Sequence, residues 1–141
     1  MNSTTNTKRT GDISTSIILS ALLEAGYAVS IPWGDNQRYD LVAEKDGVFW
    51  RIQCKTAWGC QGRVKFNSSS MSTLKGKLIR YSYGTQVDCF MVWCPSNKTI
   101  YCVPSRRASK TTTSLRIQKA KKIDSRILLA ESFVFRLLPP R

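Results

Sequence analysis

The chain has 141 residues, 42% of them hydrophobic, which suffices for one domain with a core of its own. Twenty-two Lys and Arg against nine Asp and Glu leave a formal charge of +13, which calls for an anionic partner, nucleic acid first. Histidine is absent, which excludes His bases, His nucleophiles and His-containing zinc sites; no run nears the roughly 18 apolar residues of a membrane span, and the polar opening MNSTTNTKRT is unlike a secretion signal.

Residues 1–10 are polar and lack an apolar period, so they read as a disordered tail before a single domain over 11–141. From Asp12 onward Ile13, Ile17, Leu19, Ala21, Leu22 and Leu23 make an apolar stripe of helical spacing. Gly11 or Asp12 is the expected N-cap, and Gly26 the residue just past the helix. Tyr27–Ile31 reads as a strand ended by Pro32. Tyr39–Glu44 is a second strand, Lys45-Asp46-Gly47 a tight hairpin turn, and Val48–Thr56 the returning strand. Gly59, Gly62 and Ser68-Ser69-Ser70 mark a loop, and Thr73–Arg80 a short helix. Cys89–Cys94, the run CFMVWC, is a central strand buried on both faces. A turn at Pro95–Lys98 leads into Thr99–Val103, which Pro104 ends. Residues 105–122 are basic, with a short strand at Leu115-Arg116-Ile117, and Ser125–Phe135 reads as an amphipathic terminal helix. The order α-β-β-β-(α)-β-β-α predicts an α/β or α+β domain with one sheet and flanking helices.

Five cysteines, Cys54, Cys60, Cys89, Cys94 and Cys102, form no CxxC pair. They read as small buried thiols in a reducing cytoplasm rather than as a zinc site. Between Asp46 and Asp124 the only acid is Asp88, while cations run from Arg51 to Lys119, Lys121 and Lys122. Several of the remaining acids sit in the first third of the chain. A basic body with a small acidic cluster suits a metal-dependent nuclease, in which cations neutralise phosphates and carboxylates hold a divalent ion. Asp88, just before the buried strand, reads as a structural cap or partner.

Strand alternation sharpens this. On Val48–Thr56, Trp50, Ile52 and Cys54 point one way, and Arg51, Gln53 and Lys55 the other. A two-residue turn at Asp46-Gly47 sets Asp40 opposite Gln53. Asp40 is a hard oxygen ligand for Mg²⁺, or for another divalent cation such as Mn²⁺. The Gln53 amide oxygen is a neutral second ligand and the Cys54 backbone carbonyl a third. Lys55 can lower the pKa of the attacking water or stabilise the pentacovalent phosphate. Asp12, near the start of the first helix, can add a more distant or second-metal carboxylate.

The segments Gly26-Tyr27, Pro32-Trp33-Gly34-Asp35-Asn36, Tyr39-Asp40-Leu41-Val42 and Arg51-Ile52-Gln53-Cys54-Lys55-Thr56-Ala57 together resemble the PD-(D/E)XK nuclease superfamily. More narrowly they resemble the group I intron-encoded homing endonucleases of cyanobacteria, in which the motif reads YD…QxK. Gly84–Trp93 and Ile100–Pro104 are similar to that family's second half, so the resemblance spans residues 11–104. It implies a restriction-endonuclease-like core, a central mixed β-sheet flanked by helices. It also implies divalent-metal cleavage of double-stranded DNA at a long site by a homo-oligomer, a dimer or tetramer. Asp40, Gln53 and Lys55 fall at the family's metal-and-water positions. Asp12 falls where many members carry a Glu, one methylene longer. Gln53 replaces an acid, which lowers the negative charge at the metal.

For DNA contacts the sequence offers Arg63 and Lys65 beside Phe66, Trp58 in the loop after the catalytic strand, and Arg106, Arg107 and Lys110 as phosphate contacts. Trp33, Trp50 and Trp93 read as core or interface residues. Leu128–Leu138 is an apolar stretch suited to an interface or to core packing. Two other readings share these features: a Holliday-junction resolvase or restriction enzyme on the same fold, and a DNA-binding protein without chemistry. The expected setting is intracellular, in a bacterial cytoplasm or phage-infected cell, with no membrane partner.

Overall fold

Helix α1 spans Ser3–Glu24 in the computed structural model, which describes residues 3–118 and 124–140. Lys119, Lys121 and Lys122 lie outside the described residues. The helix starts nine residues before the expected N-cap, so Gly11 and Asp12 are interior to it and residues 3–10 are helical rather than a tail. No proline or glycine interrupts Ser3–Thr10, and a helix already held by packing gains a hydrogen bond with each residue added to its end. The buried stripe is Ser14, Ile18 and Leu22, one residue to a turn; Ile13 and Leu23, expected inside, lie off that line and are about half exposed. The helix ends as expected at Gly26. Its φ is +92°, its N–H donates to Leu23 O and that of Tyr27 to Leu22 O, the paired bonds of a Schellman cap.

Ten strands follow: β1 (Ala28–Ser30), β2 (Leu41–Lys45), β3 (Val48–Thr56), β4 (Trp58–Cys60), β5 (Arg63–Asn67), β6 (Ser69–Leu74), β7 (Lys77–Ser82), β8 (Cys89–Cys94), β9 (Thr99–Pro104) and β10 (Thr112–Arg116). The main sheet has the order β1-β2-β3-β8-β9, and only β3 and β8 run parallel. The β2–β3 turn is the expected one. Asp46 and Gly47 both take positive φ, +55° and +79°, which matches a two-residue turn to the strand twist. The register pairs Leu41 with Ile52 and Lys45 with Val48. β8 is buried nearly throughout, as its apolar run predicts.

The sheet has a core on each face. Ile18, Leu22, Leu41, Ile52, Cys89 and Met91 pack beneath α1. Val64, Phe66, Tyr83, Phe90, Val92 and Leu115 form the second core. That second face carries the corrections. Strands β4 and β5, with β10, make a three-stranded sheet where a loop was expected, because RVKFN alternates and buries Val64 and Phe66. The expected helix Thr73–Arg80 is the β6–β7 hairpin. Leu74 and Leu78 mimic a helical step, but Lys75 and Gly76 take φ of +51° and +75°, which closes a two-residue turn. The expected terminal helix is absent. Ala130–Phe133 forms one 3-10 turn, and the chain then runs as a strap. Phe135 N–H donates to Ile100 O (2.8 Å), Leu138 N–H to the Tyr27 hydroxyl (2.9 Å), and Trp50 Nε1 to Pro139 O (2.9 Å). Leu128, Ala130 and Phe133 serve the second core, and Phe135 and Leu138 the first, so no single helical face collects them. The mixed sheet is thus flanked by one helix and, opposite, by strands. Among the described residues no helix is long and apolar enough to cross a membrane.

Candidate active site

Asp40 stands immediately before β2, and its N–H donates to Ile52 O (2.8 Å), the residue that Leu41 already pairs with. The regular β2–β3 ladder therefore stops at Leu41, and Asp40 sits beside Ile52 rather than directly opposite Gln53 as the turn count predicts. Its Oδ2 accepts the Cys54 N–H at 2.9 Å. Its Oδ1 has no hydrogen-bond partner among the described residues. Burial pushes this carboxyl above its ordinary value, while the Cys54 N–H and the charge of Lys55 oppose the rise. Along β3 the burial alternates as expected. Trp50, Ile52 and Cys54 lie in the first core, and Arg51, Gln53 and Lys55 are half-buried on the other side. The half-buried Gln53 amide makes no hydrogen bond among the described residues. The Cys54 thiol, buried under α1, is pushed far above its usual range, so Cys54 can serve the site only through its backbone.

Helix α1 supplies the other wall. Buried Ser14 hydrogen-bonds Thr56 at the end of β3 (2.5 Å), which anchors the helix over the motif strand. Exposed Asp12 lines a cleft of about 490 Å³ together with Asp40, Tyr39, Asp35 and Gln37. A second cleft is lined by Lys55, Cys54 and Thr56, by Thr7, Thr10 and Gly11 of α1, and by Asn67. Asp12 and Asp40 thus share one opening, while Lys55 faces the next.

Two residues, Arg38 and Tyr83, make contacts at this site that the sequence did not assign to them. Lys55 Nζ donates to the Tyr83 hydroxyl (3.1 Å). The Arg38 guanidinium lies 4.2 Å from the Tyr83 ring centroid, and it donates to Ser70 Oγ (2.5 Å), Ser82 O (3.2 Å) and Gln86 Oε1 (2.9 Å). Only the two-residue step from Arg38 to Asp40 hinted at the first; nothing in the sequence pointed to Tyr83, 28 residues from Lys55.

A family model described as "PD-(D/E)XK endonuclease" matches residues 5–136. The chain belongs to the PD-(D/E)XK endonuclease family. A solved structure of a bacterial homing endonuclease, I-Ssp6803I, is similar in fold, with a TM-score of 0.75 and 22% identity, over 91% of this chain and 88% of that one. A search of curated proteins by sequence finds no match.

Within this nuclease fold the donor set suits a hard divalent cation. Asp40 and Gln53 offer oxygen atoms not engaged by protein partners, and Asp12 lines the same cleft as Asp40. No cluster of three or more His, Cys, Asp or Glu side chains suited to a metal occurs among the described residues, so amide or backbone oxygens would have to complete the ligand set. The other residues singled out divide into two surfaces. Trp58, Lys65 and Arg63 share the outer face of the β10-β5-β4 sheet: Trp58 pairs with Lys65, and Arg63 with Arg116. Like charges set directly opposite repel, and an anion on that face relieves them. Arg106 and Arg107 lie elsewhere, in a 3-10 turn after β9. Arg106 lines a cleft with Arg51 and Asp88, Arg107 lies 5.5 Å from the Phe133 ring centroid, and Lys110 is exposed. Asp88 is structural, as expected: it accepts the Arg51 N–H (2.6 Å) and pairs with its guanidinium (3.1 Å). Trp50 is buried and Trp93 half-buried, but Trp33 is fully exposed.

Proposed function

We propose that this protein is a site-specific homing endonuclease that hydrolyses phosphodiester bonds of double-stranded DNA at a long target, with Mg²⁺ or Mn²⁺, as a homodimer or tetramer in a bacterial cytoplasm. The observation that carries this reading is the Cys54 N–H bond that holds the Asp40 carboxylate against β3, with Gln53 and Lys55 on either side of Cys54 along that strand. Asp40, Gln53 and the Cys54 carbonyl would hold the metal, and Asp12 would add a carboxylate from the helix. The bound cation would supply Lewis acidity at the phosphate and a more acidic water. The Cys54 N–H orients the Asp40 carboxylate and leaves Oδ1 available. Lys55, steadied by Tyr83, positions its ammonium to orient the attacking water and to offset charge on the phosphate as it becomes pentacovalent. Trp58, Arg63 and Lys65 would hold the duplex, with Arg106, Arg107 and Lys110 on phosphates further away. One such site cuts one strand, so a double-strand break calls for at least two copies.

The test is a cleavage selection on a randomised, unbranched duplex library, with Mg²⁺ or with Ca²⁺, for the native chain and Lys55→Ala. We expect one long site cut by the native chain with Mg²⁺, and a rate lower by about 10²–10³-fold for Lys55→Ala. Lys55→Ala cutting at the native rate would remove Lys55 from the mechanism. Binding without cutting in either metal would favour a DNA-binding protein without chemistry, and cutting confined to four-way junctions would favour a resolvase.

A further inference from the structure

We infer that the β6–β7 hairpin is an arm that enters the major groove of B-form DNA and reads base pairs next to the scissile phosphate. The inference rests on the DNA-cleaving reading above but assigns recognition to residues outside every contact named there. The two strands pair only with each other, in a sheet of their own. The register places Met71 beside Arg80 and Thr73 beside Leu78 on one face, with Ser72 beside Ile79 and Leu74 beside Lys77 on the other. Apolar side chains stand in solvent on both faces: Leu78 is 71% exposed, Leu74 54% and Met71 50%. A lone two-stranded ribbon of this kind is marginal by itself, so it needs something around it.

Charge and chemistry choose the occupant. Lys75, Lys77 and Arg80 are matched by no acid anywhere between Asp46 and Asp88. A buried contact between protein copies would be depleted in Lys and Ser, whereas this ribbon interleaves both with its apolar residues. The mixture fits base edges, where hydroxyl, ammonium and guanidinium groups meet acceptors and donors, and apolar groups meet thymine methyls. The dimensions agree. The major groove is about 12 Å wide and 8.5 Å deep and admits a two-stranded ribbon. Six residues per strand extend about 20 Å, more than that depth. The root is fixed: Arg38 donates to Ser70 and to Ser82 O at the two ends of the hairpin and stacks on Tyr83, which holds Lys55. That chain of contacts sets the arm at one place relative to the catalytic lysine.

The experiment selects bound duplexes in Ca²⁺ and then maps guanine N7 methylation, which reports the major groove. It compares the native chain with Lys75→Ala/Lys77→Ala and, separately, Ser72→Ala/Leu78→Ser, each checked by circular dichroism for a native melting curve. The native chain is expected to protect a short run of guanines, and both variants to lose that protection and about tenfold in discrimination at those base pairs. Folded variants that keep the native protection and base preferences would overturn the proposal, as would loss of oligomer with unchanged DNA contacts, or a native chain that binds no duplex. Ribbon-dependent protection without cleavage in Mg²⁺ would uphold the arm and sink the nuclease reading.

Discussion

Burial raises the Asp40 carboxyl above its ordinary value, because removing water penalises the charged form more than the Cys54 N–H and Lys55 restore. The folded state therefore holds this proton more tightly than the unfolded chain does. Asp40 favours folding at acid pH, and that contribution is lost as pH rises through its raised pKa. At neutral pH the metal-free protein carries a charge that costs stability and that a bound cation would compensate. Asp40→Asn keeps an oxygen for the Cys54 N–H and removes the charge. Melting curves in EDTA should place the Asn variant above the native chain at pH 7, with the gap closing in acid, while its cleavage is lost. An Asn variant that melts below the native protein at pH 7 would contradict this account of the site.

At the scale of elements, two glycines of one helix should respond with opposite signs. Gly26 ends α1 at φ +92°, and an added Cβ would meet nothing nearer than Lys45 Nζ at 3.8 Å. The cost of Gly26→Ala is therefore that of forcing an L-residue into a left-handed conformation, about 1–2 kcal/mol. Gly11 lies inside the helix with open space where its Cβ would be, so Gly11→Ala should stabilise by up to about 1 kcal/mol. Urea unfolding measures both. The Gly11 result also tests whether α1 continues toward Ser3, since a helix that began at Asp12 would gain far less from the substitution.

For the whole molecule, the governing quantity is the charge of +13. A protein that covers about six phosphates should lose about 10³-fold in DNA affinity between 50 and 200 mM salt. Arg63→Ala and Lys65→Ala should each lower the slope of log affinity against log salt by about 1, uniformly across sequences, because phosphate contacts carry no base information. Filter binding across a salt series decides this. Unchanged slopes would move the duplex off the β10-β5-β4 face.

Where neighbours in sequence are also neighbours in space, the chain could be read directly. The Asp46-Gly47 turn set the β2–β3 register that brings Asp40 to the Ile52–Cys54 stretch of β3, and alternation on β3 put Gln53 and Lys55 on one side. The cap at Gly26 and the buried run Cys89–Cys94 followed from local pattern in the same way. The hairpin at Lys75-Gly76 was misread because a short apolar spacing fits both helical and strand periods, and only the backbone at the turn tells them apart. The C-terminal strap was misread because its apolar residues divide between two cores, a division that exists only once both faces of the sheet are built. Tyr83 and Arg38 became part of the site for the same reason. The parallel pairing of β3 with β8 closes a long crossover, and packing, rather than any local pattern, sets that crossover's end against Lys55.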